Sequence, residues 1–500
     1  MKKFWLLIIL VAVLSPVMAH ISVSGVNEFS FIQSNRNDVT ADYFSDKFQM
    51  QFQFKAFRAG AKYDFYQPKF DKFATSPEDD ENYFDEYYLQ YESDYWFAQA
   101  GTFEALIGSG MVLHNFFDVD FDQDSRLIGG YVNPIYDRWQ LQLIAGLMES
   151  DDSINPVLKG EYDQVGALDA SINITDDITI GGSYVLHKEN EVANIDDIDF
   201  NENVVYSGNV KYSSSLFDLT TEYAMCNDDY DLEGTAIYSN LTSYLGKFTL
   251  TGAYKMYENF DGRIHDLPMV NHSGQQLEHN WDPGKDEEGF MGEIRYLPNY
   301  ENEYVLNYAE GWNSNNKVRL SNLYTEYKYD FETWSFKAEF ETLEQLNEIN
   351  ANHWYKELTP TLTFDFMLKD NPILIKTEYQ YKEEDKISGS HSHFEPKLQT
   401  DIALGDYSFS LTVENQVGDS DAPEDGEDGD FWIGGEMAIT IAHEFGFIGG
   451  IPGQMINYFF QNSDIRIFAG KEKGGVVCRN GVCKNQAEFD GVRLTITTTF

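Results

Sequence analysis

The chain of 500 residues carries a formal net charge of −48 at pH 7, and 15% of its residues are aromatic. This negative charge excludes a nucleic-acid-binding protein, because contacts with phosphate groups need a basic surface. The aromatic content excludes a disordered acidic chain, since such chains have few aromatic residues. The sequence therefore indicates a folded protein that has no nucleic acid as a partner.

Residues 1–19 have the three parts of a secretory signal peptide. Two lysines form a positive segment, residues 4–14 are an apolar run, and Ala19 stands at a site suited to cleavage. This run is too short for a membrane-spanning helix, and no later run reaches the roughly 18 apolar residues that such a helix needs. We expect a cleaved signal peptide at 1–19 and a single exported domain at 20–500.

From this point onward, apolar and polar residues alternate in segment after segment. Residues 47–57 read KFQMQFQFKAF, with Phe48, Met50 and Phe52 on one face and glutamines on the other. A period of two is typical of a β-strand. About 24 such segments of roughly 9–14 residues recur to the end of the chain, and a tilted strand needs this length to cross a bilayer.

The connections between these segments alternate in length. Short turns are predicted near 58–60, 93–94 and 133–134, and they recur between longer polar connections. The long connections are 33–45, 67–83, 104–125, 148–162, 188–201, 258–286, 343–355, 417–429 and 470–486. Hairpins that cross a membrane give this arrangement, with tight periplasmic turns and long outer loops.

The fold class that follows is all-β: a single transmembrane antiparallel up-and-down β-barrel of about 22–24 strands. The apolar face of each strand meets lipid, and closure leaves no strand edge unpaired in the hydrocarbon. The lumen of so large a barrel is too wide for its own side chains to fill, so water or inward-folded loops must occupy it. The alternative is a secreted β-helix or a protein of several β-domains.

The chain ends in GVRLTITTTF, in which Val492, Leu494, Ile496 and Phe500 share one face. A terminal strand that closes on an aromatic residue resembles the recognition signal of outer-membrane barrels, so Phe500 is the predicted assembly signal. The predicted location is the cell outer membrane. The predicted partners are outer-membrane lipid, lipopolysaccharide and the barrel-assembly machinery.

Two of the three cysteines, Cys478 and Cys483, lie in the Gly-rich polar segment GGVVCRNGVCKN. In an exported protein, two cysteines separated by a short loop indicate a disulfide. A metal site would need further ligands nearby, and this segment offers none. Cys226 is left over, and we expect a lone thiol near a strand end.

The loop 104–125 is the main candidate for a functional site. It is the third predicted outer loop, and in porins the third loop commonly folds into the lumen and narrows it. The predicted constriction residues are Gly108, Gly110, Asp118, Asp120, Asp122 and Asp124. A row of carboxylates at a constriction favours cations, whereas the alternative is a solvated acidic outer loop. The row also resembles a calcium loop, but Gln123 replaces the required glycine and Gly129 replaces the required glutamate.

A second acidic segment, DSDAPEDGEDGD, spans residues 419–430. Carboxylate oxygens are ligands for calcium and for divalent cations that bridge lipopolysaccharide. The predicted ligands are Asp419, Asp421, Asp425, Asp428 and Asp430. The alternative is a flexible acidic run whose charges repel one another. We predict no other cofactor.

Enzyme motifs are sparse. His443 and Glu444 lack a second histidine at the spacing of a zinc protease, and the G-x-S-x-G motif is absent. We therefore predict no catalytic residue and no enzyme. Tryptophans near strand ends are instead predicted to form aromatic girdles at the membrane interfaces. They are Trp96, Trp139, Trp281, Trp312, Trp334 and Trp432.

Two segments resemble a known family. Gly108 and Gly110 match a G-x-G motif after an aromatic strand end, and Asp124 and Gly129 match the end of an acidic stretch. Residues 474–483 match an ending of the form GG-x-V-C-x-x-G-x-C. These segments resemble a family of large outer-membrane β-barrels of unknown function from Bacteroidetes-like bacteria. The resemblance implies the fold and the location, and it implies no substrate.

The function predicted is a porin-like channel for small solutes that is biased to cations and narrowed by the inward-folded loop 104–125. The alternative is a structural or receptor barrel that its own loops seal and that binds a partner in the envelope or outside the cell. A third hypothesis is a hydrolase with a site at the outer rim. The enzyme hypothesis requires a serine or an aspartate clustered with a histidine at that rim.

Overall fold

The computed structural model describes residues 21–500 with internal gaps. The residues that it does not describe are 1–20, 37–38, 72–79, 119–122, 150–161, 195–196, 228–232, 261–263, 265, 276, 278–283, 285, 350–352, 387–388, 420–430, 442–461 and 480–481. The regular structure of the described residues is entirely β-strand, and none of them forms a helix with the length and hydropathy to cross a membrane. The predicted signal peptide lies outside the described residues.

Most strands belong to one large sheet, and the rest form three small hairpins. In chain order the strands are β1 (Ser22–Arg36), β2 (Val39–Phe54), β3 (Phe57–Gln67), β4 (Glu81–Glu92), β5 (Trp96–Phe103), β6 (Ala105–Ile107), β7 (Leu113–Asn115), β8 (Phe117–Asp118), β9 (Gln123–Asp124), β10 (Leu127–Tyr136), β11 (Trp139–Glu149), β12 (Tyr162–Asn173), β13 (Ile178–Asn194), β14 (Asp197–Ser213), β15 (Phe217–Asn227), β16 (Glu233–Leu245), β17 (Phe248–Glu258), β18 (Asp286–Asn299), β19 (Asn302–Trp312), β20 (Val318–Phe331), β21 (Trp334–Asn347), β22 (His353–Leu368), β23 (Asn371–Lys386), β24 (Gly389–Leu404), β25 (Tyr407–Asn415), β26 (Val417–Asp419), β27 (Phe431–Ile441), β28 (Ser463–Glu472), β29 (Gly475–Arg479), β30 (Val482–Gln486) and β31 (Phe489–Thr499).

The large sheet closes on itself into a barrel of 24 strands. Each strand is antiparallel to its neighbours, β5 pairs with β10, and the last strand β31 pairs with both β28 and β1. The short β26 continues β25 along the same neighbour, β24. The structure confirms the predicted closed antiparallel barrel at the upper end of the predicted strand number.

Several of the predicted long loops are in fact the ends of long strand pairs. β1 and β2 stay paired as far as Arg36 and Val39, and β13 and β14 stay paired as far as Asn194 and Asp197. These strand ends are polar, and a polar composition resembles that of a loop. A further difference is the connection 442–462 between β27 and β28. It is long, although the connections at this end of the barrel are otherwise tight turns.

The two faces of the strands differ as the alternation predicts. Phe52 of β2 lies opposite Val23 of β1, and these two apolar side chains point outward and are 42% and 45% exposed. The other face of the same strand pair carries Glu28 opposite Lys47 and Ser30 opposite Ser45. An apolar outer surface around a polar interior is what a barrel in a membrane needs.

Aromatic rings cluster at the end of the barrel where the tight turns lie. Trp139 stacks on Tyr136 with ring centroids 4.5 Å apart, and Trp334 lies 5.8 Å from Phe364. Trp139 and Trp96 are each 44% exposed, as a girdle at a membrane interface requires. Trp432 is an exception to the girdle prediction, because its side chain points inward and is only 7% exposed. Trp281 lies outside the described residues.

The last residue closes the seam between the two ends of the chain. The amide of Gly25 donates to the carbonyl oxygen of Phe500 at 2.9 Å, and the amide of Phe500 donates back at 3.0 Å. The ring of Phe500 stacks over Phe48 at 6.0 Å. A Cβ on Gly25 would lie 2.3 Å from this ring, so only glycine fits beneath it. The role of Phe500 as an assembly signal stays a prediction.

Candidate functional site inside the barrel

The loop that follows β5 packs inside the barrel rather than outside it. Its strands β6 and β7 form a hairpin, and Ile107 and Met111 are fully buried. They belong to one apolar cluster with Val165, Val185 and Val205, which lie on the inner faces of β12, β13 and β14. Because these partners are strand residues of the lumen wall, the described hairpin β6–β7 lies against that wall.

The two predicted glycines allow a close approach at the tip of this hairpin. Gly108 has a φ of +65°, and a Cβ there would lie 2.2 Å from a carboxylate oxygen of Glu222. Gly110 has a φ of +97°, and a Cβ there would lie 2.8 Å from the carbonyl oxygen of Asp266. A side chain at either position would be strained and would meet its neighbour, so the G-x-G motif has a structural reason.

A buried carboxylate holds the hairpin to the wall. Glu222 of β15 is 1% exposed. It accepts hydrogen bonds from the amide and the hydroxyl of Ser109, at 2.7 and 2.8 Å, and from the hydroxyl of Ser207 at 2.9 Å. Three donors aimed at one carboxylate offset part of the free energy lost on its burial. The sequence does not single out Glu222, because it alternates like any other inward strand residue.

Described residues of a second segment, which lies between β17 and β18, join the same cluster. Phe260 and Ile264 are fully buried there. The amide of His114 donates to the carbonyl oxygen of Ile264 at 2.8 Å, and the His114 ring lies 2.9 Å from the Asp266 carboxylate. The sequence predicts this segment only as a long outer loop. We call the described residues of 104–126 and of 259–285 the two inward segments.

The second inward segment continues around the wall as far as β21. The hydroxyl of Tyr257 donates to the carbonyl oxygen of Pro268 at 3.0 Å. Further along, the His272 ring stacks on Tyr324 of β20 with centroids 3.5 Å apart. Leu277 then packs in a second apolar cluster with residues of β20 and β21. The inner faces of β11–β21, which the two inward segments cover, are called the plugged wall below.

The predicted row of aspartates is only partly described, and one of its members is paired. Arg126 donates to both oxygens of Asp124, at 2.9 and 2.6 Å, and also to Asp85 at 3.0 Å. Burial lowers the pKa of the Arg126 guanidinium, but the bonds and charge of Asp124 outweigh this effect and raise the pKa above its ordinary value. Asp118 lies on β8, half-buried, and Asp120 and Asp122 lie outside the described residues.

The other predicted ligands and the predicted disulfide stay predictions. Asp419 ends β26, while Asp421, Asp425, Asp428 and Asp430 lie in the segment that is not described. Over the described residues, no group of three or more histidine, cysteine or acidic side chains is placed to hold a metal ion. In the backbone register of β29 and β30, Cys478 stands directly opposite Cys483. The third cysteine, Cys226, is buried, with its Sγ 3.7 Å from the carbonyl oxygen of Asn259.

A second part of the lumen wall is charged. On the inner faces of β22–β25, β27, β28 and β31, lysine and arginine side chains alternate with carboxylates. The pairs include Lys376–Glu378 at 3.1 Å, Lys382–Glu395 at 3.3 Å, Lys397–Glu414 at 3.3 Å and Arg493–Glu472 at 3.0 Å. We call this part of the lumen the charged wall.

Residues 1–325 match the model of DUF6029, a family of unknown function. The chain belongs to this family. The match confirms the resemblance to a family without a known function, and it adds no substrate. No curated protein matches the sequence.

Solved structures with a similar fold come from the outer membrane. A chain of the E. coli P pilus tip assembly intermediate PapC-PapD-PapK-PapG has a TM-score of 0.54 at 8% identity, with 96% of this chain and 60% of that chain covered. The siderophore receptor PirA of Pseudomonas aeruginosa gives 0.47 at 11% identity, with 96% and 80% covered. The outer membrane protein OpdK of the same species gives 0.40 at 11% identity, with 69% and 98% covered. These likenesses show the fold, so the DUF6029 protein is a large closed β-barrel.

Proposed function

We propose that this barrel is a channel for small solutes whose passage runs between the two inward segments and the charged wall. The observation that carries the proposal is the asymmetry of the lumen. A barrel of this size is too wide for its side chains to fill. The inward segments cover the plugged wall with apolar contacts, and the charged wall opposite is suited to water.

We further propose that the inward segments narrow this passage and that it prefers cations. The support is electrostatic, because a net charge of −48 gives the barrel a negative potential that attracts cations. The pairing of Asp124 with Arg126 reduces the contribution of the predicted aspartate row to this negative potential. The preference therefore rests mainly on the excess of acidic residues over the whole barrel.

A sealed receptor barrel is the second candidate. It is favoured by the way the two inward segments bond to each other and to two separate places on the plugged wall. His114 joins one segment to the other, while Glu222 and Tyr324 fix them to β15 and β20. Segments held this firmly suit a plug that does not open.

Single-channel current in a planar bilayer under a salt gradient separates the two candidates. Steady current steps with a reversal potential of the cation-selective sign would support the channel. A barrel that migrates as folded protein on unheated gels but gives no current would overturn the channel and favour the sealed receptor. A reversal potential of the opposite sign would remove the cation preference alone.

A further inference from the structure

The charged wall contains a cavity of about 440 Å³ near the end of the barrel where the long loops lie. Its lining includes Lys397 of β24, Glu414 of β25, Trp432 of β27 and Phe468 of β28, together with Lys473 just beyond β28. This volume is within the range of about 300–1,000 Å³ that small-molecule sites occupy. The function proposed above does not require such a cavity.

The aromatic part of the cavity is held in place. The indole nitrogen of Trp432 donates to a carboxylate oxygen of Glu488 at 2.9 Å. The Phe468 ring lies directly over Gly434, where a Cβ would come within 2.7 Å of two ring carbons. Glycine therefore lets the ring lie flat against the strand. Rings fixed before a ligand arrives reduce the entropy lost on binding.

The charged part of the cavity contains positive and negative side chains next to each other. The Lys397 ammonium lies 3.3 Å from one oxygen of Glu414, and the Lys473 ammonium lies 3.6 Å from the other. Glu472 also lines the cavity and pairs with Arg493 at 3.0 Å, and the Lys473 ammonium lies 2.5 Å from Glu395. The one further lysine of the lining, Lys471, pairs with Asp490 at 3.5 Å. The cavity is therefore close to neutral overall, within a strongly acidic protein.

We infer that this cavity binds a zwitterionic solute with an apolar side chain, such as an apolar amino acid or a short peptide. A ligand carboxylate is attracted by Lys397 and Lys473, and a ligand ammonium is attracted by Glu414 and Glu472. A simple anion would lie near the carboxylates as well as the lysines, and a simple cation near the lysines as well as the carboxylates, so neither gains from both sets of charges. An apolar side chain would lie against Trp432 and Phe468.

This inference rests on the proposed function, because it names the class of solute that the proposed channel would carry. Its test does not depend on conduction. The full-length barrel in detergent is titrated calorimetrically with the dipeptide Phe-Leu, with its N-acetylated form and with its C-terminal amide. We expect each blocked form to bind about tenfold more weakly or worse, since a bond to a charged group is lost in each.

Two variants and a control locate the site. Lys397→Gln is expected to weaken binding of the dipeptide about tenfold, and Phe468→Leu to weaken it severalfold. Lys376→Gln, which removes a lysine elsewhere on the charged wall, is expected to leave binding unchanged. Equal binding of the three peptide forms, or equal binding by Lys397→Gln and the parent, would overturn the inference.

The two proposals fail independently of each other. A barrel that binds the dipeptide but gives no current in bilayers would retain the site and overturn the channel. A barrel that conducts but binds none of the three forms would retain the channel and overturn the site.

Discussion

The plugged wall and the charged wall are built from the same alternating strands, and they differ only in what stands at the inward positions. On the plugged wall these positions include small apolar residues such as Ala167, Val185 and Ala224, which are buried beneath the inward segments. On the charged wall they carry long ionic side chains such as Lys397 and Glu414. Under the proposed function, the inward positions decide where the lumen is filled by chain and where it is open to water.

The largest expected effect comes from removing one inward segment. Replacing residues 105–115 by a Gly-Ser sequence of the same length removes the apolar side chains that hold the hairpin to the wall. We expect the single-channel conductance to rise severalfold, because the lumen is too wide to fill without its loops. The matched control replaces residues 475–486, the β29–β30 hairpin, and is expected to leave conductance near that of the parent. Equal conductance of the first variant and the parent would show that the segment does not narrow the passage.

The next effect concerns the buried carboxylate that anchors the hairpin. Glu222→Ala leaves the donors of Ser109 and Ser207 without their acceptor, and we expect the free energy of unfolding to fall by about 2–3 kcal/mol. Glu378→Ala, in a partly exposed ion pair of the charged wall, should cost about 0.5 kcal/mol. Urea unfolding of the barrel in lipid vesicles measures both values. Equal losses of unfolding free energy in the two variants would contradict the claim that the buried carboxylate matters more than the partly exposed ion pair.

The glycine at the hairpin tip gives a smaller effect. Gly108→Ala forces a Cβ onto a left-handed backbone and against the Glu222 carboxylate, so we expect a loss of about 1–3 kcal/mol. In Gly130→Ala the new Cβ has open space around it, and stability should be unchanged. The rate of limited proteolysis within residues 104–126 measures how far the hairpin has come away from the wall. Protection equal to that of the parent in Gly108→Ala would argue against the close packing.

The smallest effects concern ion selectivity. Because Asp124 is neutralised by Arg126, we expect Asp124→Asn to lower the cation preference only slightly. Arg126→Gln leaves Asp85 and Asp124 without this cation and should raise the preference. Reversal potentials under a salt gradient measure both variants. A large drop in Asp124→Asn would mean that Asp124 contributes to ion selectivity despite its pairing, as the predicted row of aspartates requires.

The sequence predicts those parts of the structure that depend on local patterns. Alternation gives the strands and their two faces, and the position of loop 104–125 as the third outer loop leads to its inward folding by analogy with porins. The contact of His114 with Asp266 joins residues 152 positions apart in the chain. Such a contact depends on the size and closure of the barrel, which no local pattern specifies.

The position of Trp432 near a strand end predicts a girdle residue, and this prediction is wrong, because its side chain is buried. Its neighbours Phe431 and Ile433 are apolar and lie on the outward face, so alternation already puts Trp432 on the inward face. The alternation of a strand therefore predicts which way a side chain points better than its distance from the strand end does. By contrast, Arg126 and Asp124 are only two positions apart in the chain. A count of the acidic residues in the loop does not show that Arg126 neutralises one of them.

Thiol modification during current recording tests most directly which wall lines the passage. In a background with the three native cysteines changed to serine, Gln399→Cys places a thiol on the charged wall and Ala167→Cys places one beneath the inward segments. We predict that a charged methanethiosulfonate reagent lowers the current through Gln399→Cys within seconds to minutes and leaves Ala167→Cys unchanged. A current that falls in Ala167→Cys but not in Gln399→Cys would contradict the proposed passage.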